Sequence, residues 1–553
     1  MSSRINPSRA AKALLAAASL FVFVPAAHAV VHSRTPAQIP MRDAQSLAAD
    51  VYLPPGEGPW PTVLIQTPYE KFFYIPVFTT EFARDPLLKS PDYAFVTLDW
   101  RGFGDSAGAA YQGAPTRGED GFDAVGWIAS QPWSDGQVAT WGASALGTVQ
   151  LMTALQRPPA LRACVPMVCH YGERYGIWYR GGVYYKNRND FVADFYGFGD
   201  IFRDRPLRNF FWDATEAAIP SFDGIETPML FVSGWYDHET QATIDEFARL
   251  RAAQGPGSPT RLLIGPWSHS AIDRTEQGQR AYPAAEFASS TAALAFFDRH
   301  LRGAGGAATA PVTLFQMNED RWLAFDSWPP TGTQSAAMHL AEGGLLADAP
   351  GASATVSYAS DPLTPVPSLF GAILREETGG TQGPGDLSPL VGRADTLYFE
   401  TAPLAEPLRL AGSQRAVLRI SADAPDVDLA VRLVEVPPGG ERFLVAEGMR
   451  RASLRDSFEA KALLQPGDPV EVAVATEPTM ATIPAGHRLG VLVASTNFDL
   501  FEPNPQDGSD YLDSPGAAPR GAAVELRVGG ADGSRLELSV LPQGSAVDGW
   551  MLF

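Results

Sequence analysis

Thr140-Trp141-Gly142-Ala143-Ser144-Ala145-Leu146-Gly147 leaves a short apolar strand, Val138 to Trp141, and enters an apolar helix beginning at Thr148. A sharp strand-to-helix turn of this kind lifts a serine hydroxyl above the end of a sheet, and it needs small neighbours to avoid clashes. The second glycine stands one place later than in the commonest Gly-x-Ser-x-Gly spelling. Taken alone the pattern is weak, because a glycine-rich turn after a strand is often only a turn. Its surroundings decide.

Upstream, Thr62 to Gln66 (TVLIQ) and Tyr93 to Leu98 (YAFVTL) are short apolar runs of the sort found in buried parallel strands. Gly121 to Ser130 reads as a helix between them and the serine strand. Strands alternating with helices define an α/β class with a doubly wound sheet. Downstream, residues of about 157 to 225 change character: Tyr171 to Trp212 is dense in aromatic residues interleaved with Arg and Asp, and reads as an inserted, mostly helical cap. Strands resume at Pro228 to Ser233 and Arg261 to Ile264, a helix follows at Ser290 to Leu301, and Gly303 to Ala310 is a small-residue linker. From 311 onward the pattern alternates with period two. Val427, Leu429, Val431 and Leu433 are one example; Val524, Leu526 and Val528 are another. This predicts an all-β C-terminal domain, a β-sandwich of jelly-roll type. The expected organisation is thus a catalytic α/β domain over 30–310, with its cap, and a β domain over 311–553.

The first 29 residues are read separately. Arg4, Arg9 and Lys12 precede the apolar run Ala13 to Val24, and Ala27-His28-Ala29 supplies small residues at a cleavage site. These are the three parts of a secretory signal peptide, and the run is too short to span a bilayer. Export to the periplasm or medium, with cleavage after Ala29, is the expectation. The net charge of −20 becomes −23 once the three leader cations are gone, which disfavours nucleic acid and anionic membranes as partners. The only cysteines, Cys164 and Cys169, sit in an apolar segment and read as unpaired buried thiols. They form no zinc site.

Serine is a poor nucleophile near neutral pH; a base must take its proton, and an acid must orient that base. In α/β-hydrolases the order is Ser, Asp or Glu, then His, each past a strand end. Asp237 follows MLFVS through Gly234-Trp235-Tyr236, and His269 follows RLLI through Gly265-Pro266-Trp267-Ser268. Both meet the requirement. Glu239 is a rival acid, and His170 and His238 are rival bases, while His300, His339 and His487 read as structural. One oxyanion donor is expected from the backbone N–H of Ala145. The second belongs to the loop Gln66-Thr67-Pro68-Tyr69-Glu70-Lys71, where the Tyr69 phenol either reaches the site or packs with a wet hydroxyl.

The chain resembles the CocE/NonD hydrolases, a group including cocaine esterase, α-amino-acid ester hydrolases, glutaryl acylases and X-Pro dipeptidyl-peptidases. The resemblance rests on Thr67-Pro68-Tyr69-Glu70-Lys71, on Asp99-Trp100-Arg101-Gly102-Phe103-Gly104-Asp105-Ser106, and on Gln131-Pro132-Trp133-Ser134-Asp135-Gly136. The elbow, both triad loops and Ser495-Thr496-Asn497-Phe498 match as well. It implies an α/β-hydrolase domain, a helical cap and a C-terminal jelly roll, and it implies that the Tyr69 hydroxyl serves the oxyanion. Members usually carry Tyr directly after the nucleophile, where this chain has Ala145. The acid that α-amino-acid ester hydrolases place a little further along is absent too, since Leu146 and Gly147 stand in that stretch. The Ala145 N–H can still donate, so the first departure only takes a ring from the wall of the acyl pocket; the missing acid weakens recognition of an amino group, and with it a dipeptidyl-peptidase. Arg101 and Asp105 read as scaffold.

The sequence thus predicts a serine hydrolase acting on a small-molecule ester or amide, with no metal and no organic cofactor. The alternatives are an X-Pro dipeptidyl-peptidase and, from another class, a non-catalytic protein that binds through the jelly roll. Trp235 and Trp267, with the aromatic cap, are expected to line a pocket for a bulky apolar or aromatic acyl group. No stable membrane insertion is expected, and homo-oligomerisation is left open.

Overall fold

The computed structural model describes residues 32–74, 84–110, 116–304, 310–542, 544 and 547–548. The expected signal peptide and part of the expected linker lie outside them. Among the described residues no helix is long and apolar enough to cross a membrane.

Ten strands of the catalytic half lie in one mixed sheet: β1 (Ser33–Pro40), β2 (Ser46–Leu53), β3 (Trp60–Thr67), β4 (Ala94–Asp99), β5 (Ser134–Ala143), β6 (Leu161–Met167), β7 (Leu230–Tyr236), β8 (Arg261–Ser268), β9 (Val312–Gln316) and β10 (Arg321–Phe325). Their spatial order is β1-β2-β4-β3-β5-β6-β7-β8-β9-β10. From β4 to β9 every neighbouring pair is parallel, so the chain ends of β3, β5, β6, β7 and β8 share one edge. All six residues of β4, and all of β3 but Trp60, are buried. They need apolar residues on both sides because helices cover both faces. Among these helices are α1 (Arg117–Ala129), α2 (Ala145–Leu155), α5 (Thr240–Gln254) and α6 (Ala288–Leu301), counting the cap helices α3 (Lys186–Tyr196) and α4 (Phe210–Ala217) between them. Thr116 and Glu119 close a reciprocal capping box on α1, which fixes where it starts.

Two expectations about boundaries are corrected. The sheet does not stop before residue 311: β9 pairs parallel with β8 (Leu262 beside Val312), and β10 folds back on β9. A two-residue strand, Val547–Asp548, then pairs with β10. The run VTLFQ is apolar enough to be a central strand, and only the preceding linker suggested a new domain. The cap also begins later than 157, because β6 is still a sheet strand through Met167.

The remaining chain forms a β unit around a 13-stranded sheet, antiparallel but for the contact of Leu345 with Glu400. Asp428–Val436, flanked by Phe443–Arg451 and Arg488–Ala494, is buried along its whole length. The β unit packs on the cap through aromatic rings. The hydroxyls of Tyr179 and Tyr511 share a hydrogen bond at 2.6 Å, and each lies 2.7 Å from the carbonyl of Arg203, which accepts from the one whose proton is free.

Candidate active site

Ser144 holds φ 60° and ψ −122°, a backbone region that a residue with a side chain rarely adopts. Such strain persists where packing over-determines it. The two glycines of the motif show how. A Cβ on Gly142 would meet Leu146 Cβ at 2.6 Å, and one on Gly147 would meet the Met167 carbonyl at 2.7 Å and Cys169 Sγ at 2.8 Å. The delayed second glycine therefore stands where α2 crosses the end of β6. Ala145 opens α2, and the first amides of a helix have no intrahelical acceptor.

Asp237 and His269 leave adjacent strands side by side, since Tyr236 of β7 pairs with Ser268 of β8. His269 Nδ1 lies 2.7 Å from Asp237 Oδ2, and the carboxylate is fully buried. Asp237 Oδ1 accepts from the Glu239 amide at 2.6 Å, so both oxygens are engaged. Burial opposes the Asp237 charge, but the His269 imidazole and the Glu239 amide draw its carboxyl below the usual range. Burial likewise opposes a charged His269, and Asp237 outweighs it, holding the imidazole above its ordinary 6.5.

Tyr69 comes from the turn after β3. Its amide donates to Thr67 Oγ1 at 2.9 Å, Glu70 adopts φ 72°, and the Lys71 amide donates to Asp99 Oδ1 at 2.6 Å. So pinned, the Tyr69 phenol lies near the Ser144 side chain: burial raises the phenol's pKa, and Ser144 offsets part of the rise. The structure thus brings Ser144 to Tyr69 and Asp237 to His269 on one sheet edge.

The rival groups are occupied elsewhere. Glu239 Oε2 takes His170 Nδ1 at 2.7 Å, and Glu239 Oε1 takes two N–H groups of Arg188, on α3, at 3.2 and 3.1 Å. His170 is pushed up to about 9: burial works against its charge, and Glu239 and Glu173 more than compensate. His238 stacks on His269 with ring centroids 4.3 Å apart, and burial and the His269 charge push it down to about 3, so it is neutral. Arg101 is bound by Asp120 (3.1 and 2.6 Å) and Asp43 (2.8 Å), a scaffold role.

Trp235 and Trp267 do not line the cleft, which corrects the expected pocket. Trp235 donates from Nε1 to the Phe315 carbonyl of β9 at 2.8 Å and stacks on Trp328 at 5.3 Å. Trp267 is fully buried, 5.7 Å from Trp322 of β10. Both indoles are covered by the very strands that the sequence reading gave to another domain.

Two glutamines escaped the sequence reading. Gln277 Oε1 accepts from the Ser268 amide at 2.9 Å, and Gln382, from the β unit, accepts from the Ser270 amide at 3.0 Å. They hold the residues before and after His269. No spacing or motif marks either of them. Among the described residues, Asp237, His238 and His269 are the grouping that could offer three ligand atoms to an ion. At 2.7 Å, however, the Asp237 and His269 atoms sit in hydrogen-bond contact. A tetrahedral ion with ligands at about 2.0–2.1 Å would hold them roughly 3.3 Å apart.

A serine at a strained strand-to-helix turn, with an Asp–His pair on the next loops of the same edge, defines an α/β serine hydrolase. Residues 43–207 and 193–271 match the X-Pro dipeptidyl-peptidase (S15) family, and 304–536 match the X-Pro dipeptidyl-peptidase C-terminal non-catalytic domain. Cocaine esterase of Rhodococcus sp. (strain MB1 Bresler) is 31% identical over 541 residues, which cover 85% of this chain and 92% of the relative. The chain belongs to the CocE/NonD family of serine hydrolases, which cleave esters or amides. The same fold occurs in an aminopeptidase from a marine sediment Thaumarchaeota archaeon, with TM-score 0.81, 23% identity and coverage of 94% and 98% of the two chains. An α-amino-acid ester hydrolase shares it too, with TM-score 0.77, 23% identity and the same coverage.

Proposed function

We propose that Ser144 is the nucleophile of a two-step acyl transfer to water, with His269 as base, Asp237 as its orienting acid, and Tyr69 and Ala145 as oxyanion donors. Ser144 Oγ attacks the carbonyl carbon while its proton passes to His269. The carbonyl π electrons move onto oxygen, facing the Tyr69 hydroxyl and the Ala145 amide. The imidazolium then protonates the departing alcohol or amine, and the acyl group stays on Ser144. Water, deprotonated by the same imidazole, attacks that ester and releases the acid. Asp237 keeps the proton on Nδ1, which makes Nε2 the acceptor.

The observation that carries this reading is the 2.7 Å contact of His269 with Asp237 on the same sheet edge as a strained Ser144 that neighbours the Tyr69 phenol. A fluorophosphonate should label the wild-type protein and leave Ser144→Ala unlabelled. Intact mass should reveal an acyl-enzyme on brief exposure to an activated ester. Equal labelling of both proteins defeats the assignment.

The S15 match supports a second reading, an X-Pro dipeptidyl-peptidase. Side-by-side turnover of a proline-dipeptide anilide and an aryl ester distinguishes the two. Export is the reading supported by the basic start, the apolar run and Ala27-His28-Ala29. N-terminal sequencing of the native protein should then begin at Val30.

A further inference from the structure

The cap helix α3 lies across both ends of the site. Its first turn is tied down by polar bonds. Asn187 Oδ1 accepts from the Leu374 and Arg375 amides at 2.8 and 2.9 Å, Arg188 pairs with Glu239, and Asn189 donates to the Trp178 carbonyl at 2.8 Å. All three side chains are buried. Arg188, Phe191 and Phe195 are spaced i, i+3 and i+7, which puts them on one stripe of the helix. The Arg188 end reaches Glu239, two residues beyond the catalytic acid. The Phe195 end reaches the oxyanion tyrosine, with ring centroids of Tyr69 and Phe195 5.7 Å apart.

This stripe is apolar where the fold does not need it to be. Phe191 stacks on Phe195 at 5.9 Å and is 36% exposed; Phe103 also stacks on Phe195, at 6.1 Å. The interplanar angles are 20° and 22°, so three near-parallel rings form a row. Phe72, three residues past Tyr69, is 48% exposed. The polar first turn already anchors α3, and Phe103 backs the row from the core side, which leaves the exposed Phe191 end open to a ligand. Exposed apolar surface that is continuous with a reactive centre marks a place where something apolar binds.

We infer that the row Phe103–Phe195–Phe191 is the acyl-chain subsite of this enzyme and selects an extended apolar acyl group, an alkanoyl or arylalkanoyl ester. The inference rests on Ser144 being the nucleophile. The leaving group must lie beside His269, which protonates it. The ring neighbour of His269 is His238, and its loop is held by Gln277 and Gln382. The row instead adjoins Tyr69, so it meets the part of the substrate that stays on the serine. An apolar chain laid there would also shed water from around the oxyanion donors, where their bonds count most.

The test is kcat/KM for p-nitrophenyl alkanoates from acetate to octanoate, at concentrations below micelle formation. For the wild type it should climb with chain length by up to about 4-fold per methylene, the factor that corresponds to burying one such group. Phe195→Ser should flatten the climb from its first steps. Phe191→Ser should flatten only its far end, an ordering that a general loosening of the cap would not produce. A series of acetate esters with lengthening alcohols should respond alike in all three proteins. A flat alkanoate profile, or a change confined to the alcohol series, overturns the inference. Fluorophosphonate labelling in the same samples separates the cases: labelling with a flat profile sinks this subsite alone, and no labelling sinks the hydrolase reading beneath it.

Discussion

Gln382 grips Ser270, the residue after His269, at two points: its Oε1 accepts from the Ser270 amide at 3.0 Å, and its Nε2 donates to Ser270 Oγ at 3.1 Å. A side chain of the β unit thus fixes the loop that carries the base. The C-terminal domain of this family is described as non-catalytic, and here it positions without reacting. Gln382→Leu should reduce kcat by roughly 10- to 100-fold, as expected for misplacing a catalytic group by an ångström or less. KM should change little. Steady-state kinetics and the rate of fluorophosphonate labelling check this, and an unaltered kcat would leave Gln382 as mere packing.

Tyr69 offers a sharper cut. Removing one hydroxyl with Tyr69→Phe leaves its ring on Phe195 and deletes only the oxyanion donor. The expected loss is about 10²–10³-fold in kcat with KM nearly constant. A matching rise in KM would place the phenol in ground-state binding.

The pH profile follows from His269, which must be neutral to take the serine proton. Asp237 holds its pKa above 6.5, so activity should rise with pH through a value above that of a free imidazole. Asp237→Asn frees the imidazole from the carboxylate and should lower kcat by about 10⁴-fold. His238, pushed down to about 3, stays neutral throughout and should add no second limb above pH 5. Rate measurements from pH 5 to 10 would expose any such limb.

The buried Glu239 network concerns stability. Arg188→Met leaves Glu239 short of a cation in a dry site, and breaking a buried pair from one side costs about 3–5 kcal/mol. The double change Arg188→Met with Glu239→Gln should cost less than the single one. His170 adds a pH signature. Its folded pKa of about 9 exceeds the ordinary 6.5, so its contribution is complete below 6.5, declines as pH rises, and is gone beyond 9. Within that window the loss approaches roughly 1.4 kcal/mol per pH unit. Denaturation of the wild type and His170→Gln from pH 6 to 9.5 should show their difference shrinking with pH.

The site was legible in the sequence where chemistry forces chain order. Ser144, Asp237 and His269 each follow a strand, and small residues around the serine betray the turn. The unlabelled partners were not legible, because Gln277 and Gln382 act through folded proximity and resemble any other glutamine. Trp235 and Trp267 were misplaced for a topological reason: nothing in VTLFQ says that it joins a sheet that begins as far back as Ser33, and without that strand both indoles appear to face an opening. His170 and His238 could be named as rivals, but only their burial beside Glu239 and His269 shows one charged and the other neutral.

The pairing of β8 with β9 bears on how this protein can be handled. Severing the chain at the glycine-rich linker would strip the edge from beside the histidine strand, leaving unpaired amides and two uncovered indoles. Such an edge invites another chain to pair with it. The half that reacts is therefore no portable module: a fragment ending near residue 310 should aggregate instead of hydrolysing, and any engineered split must fall beyond Phe325.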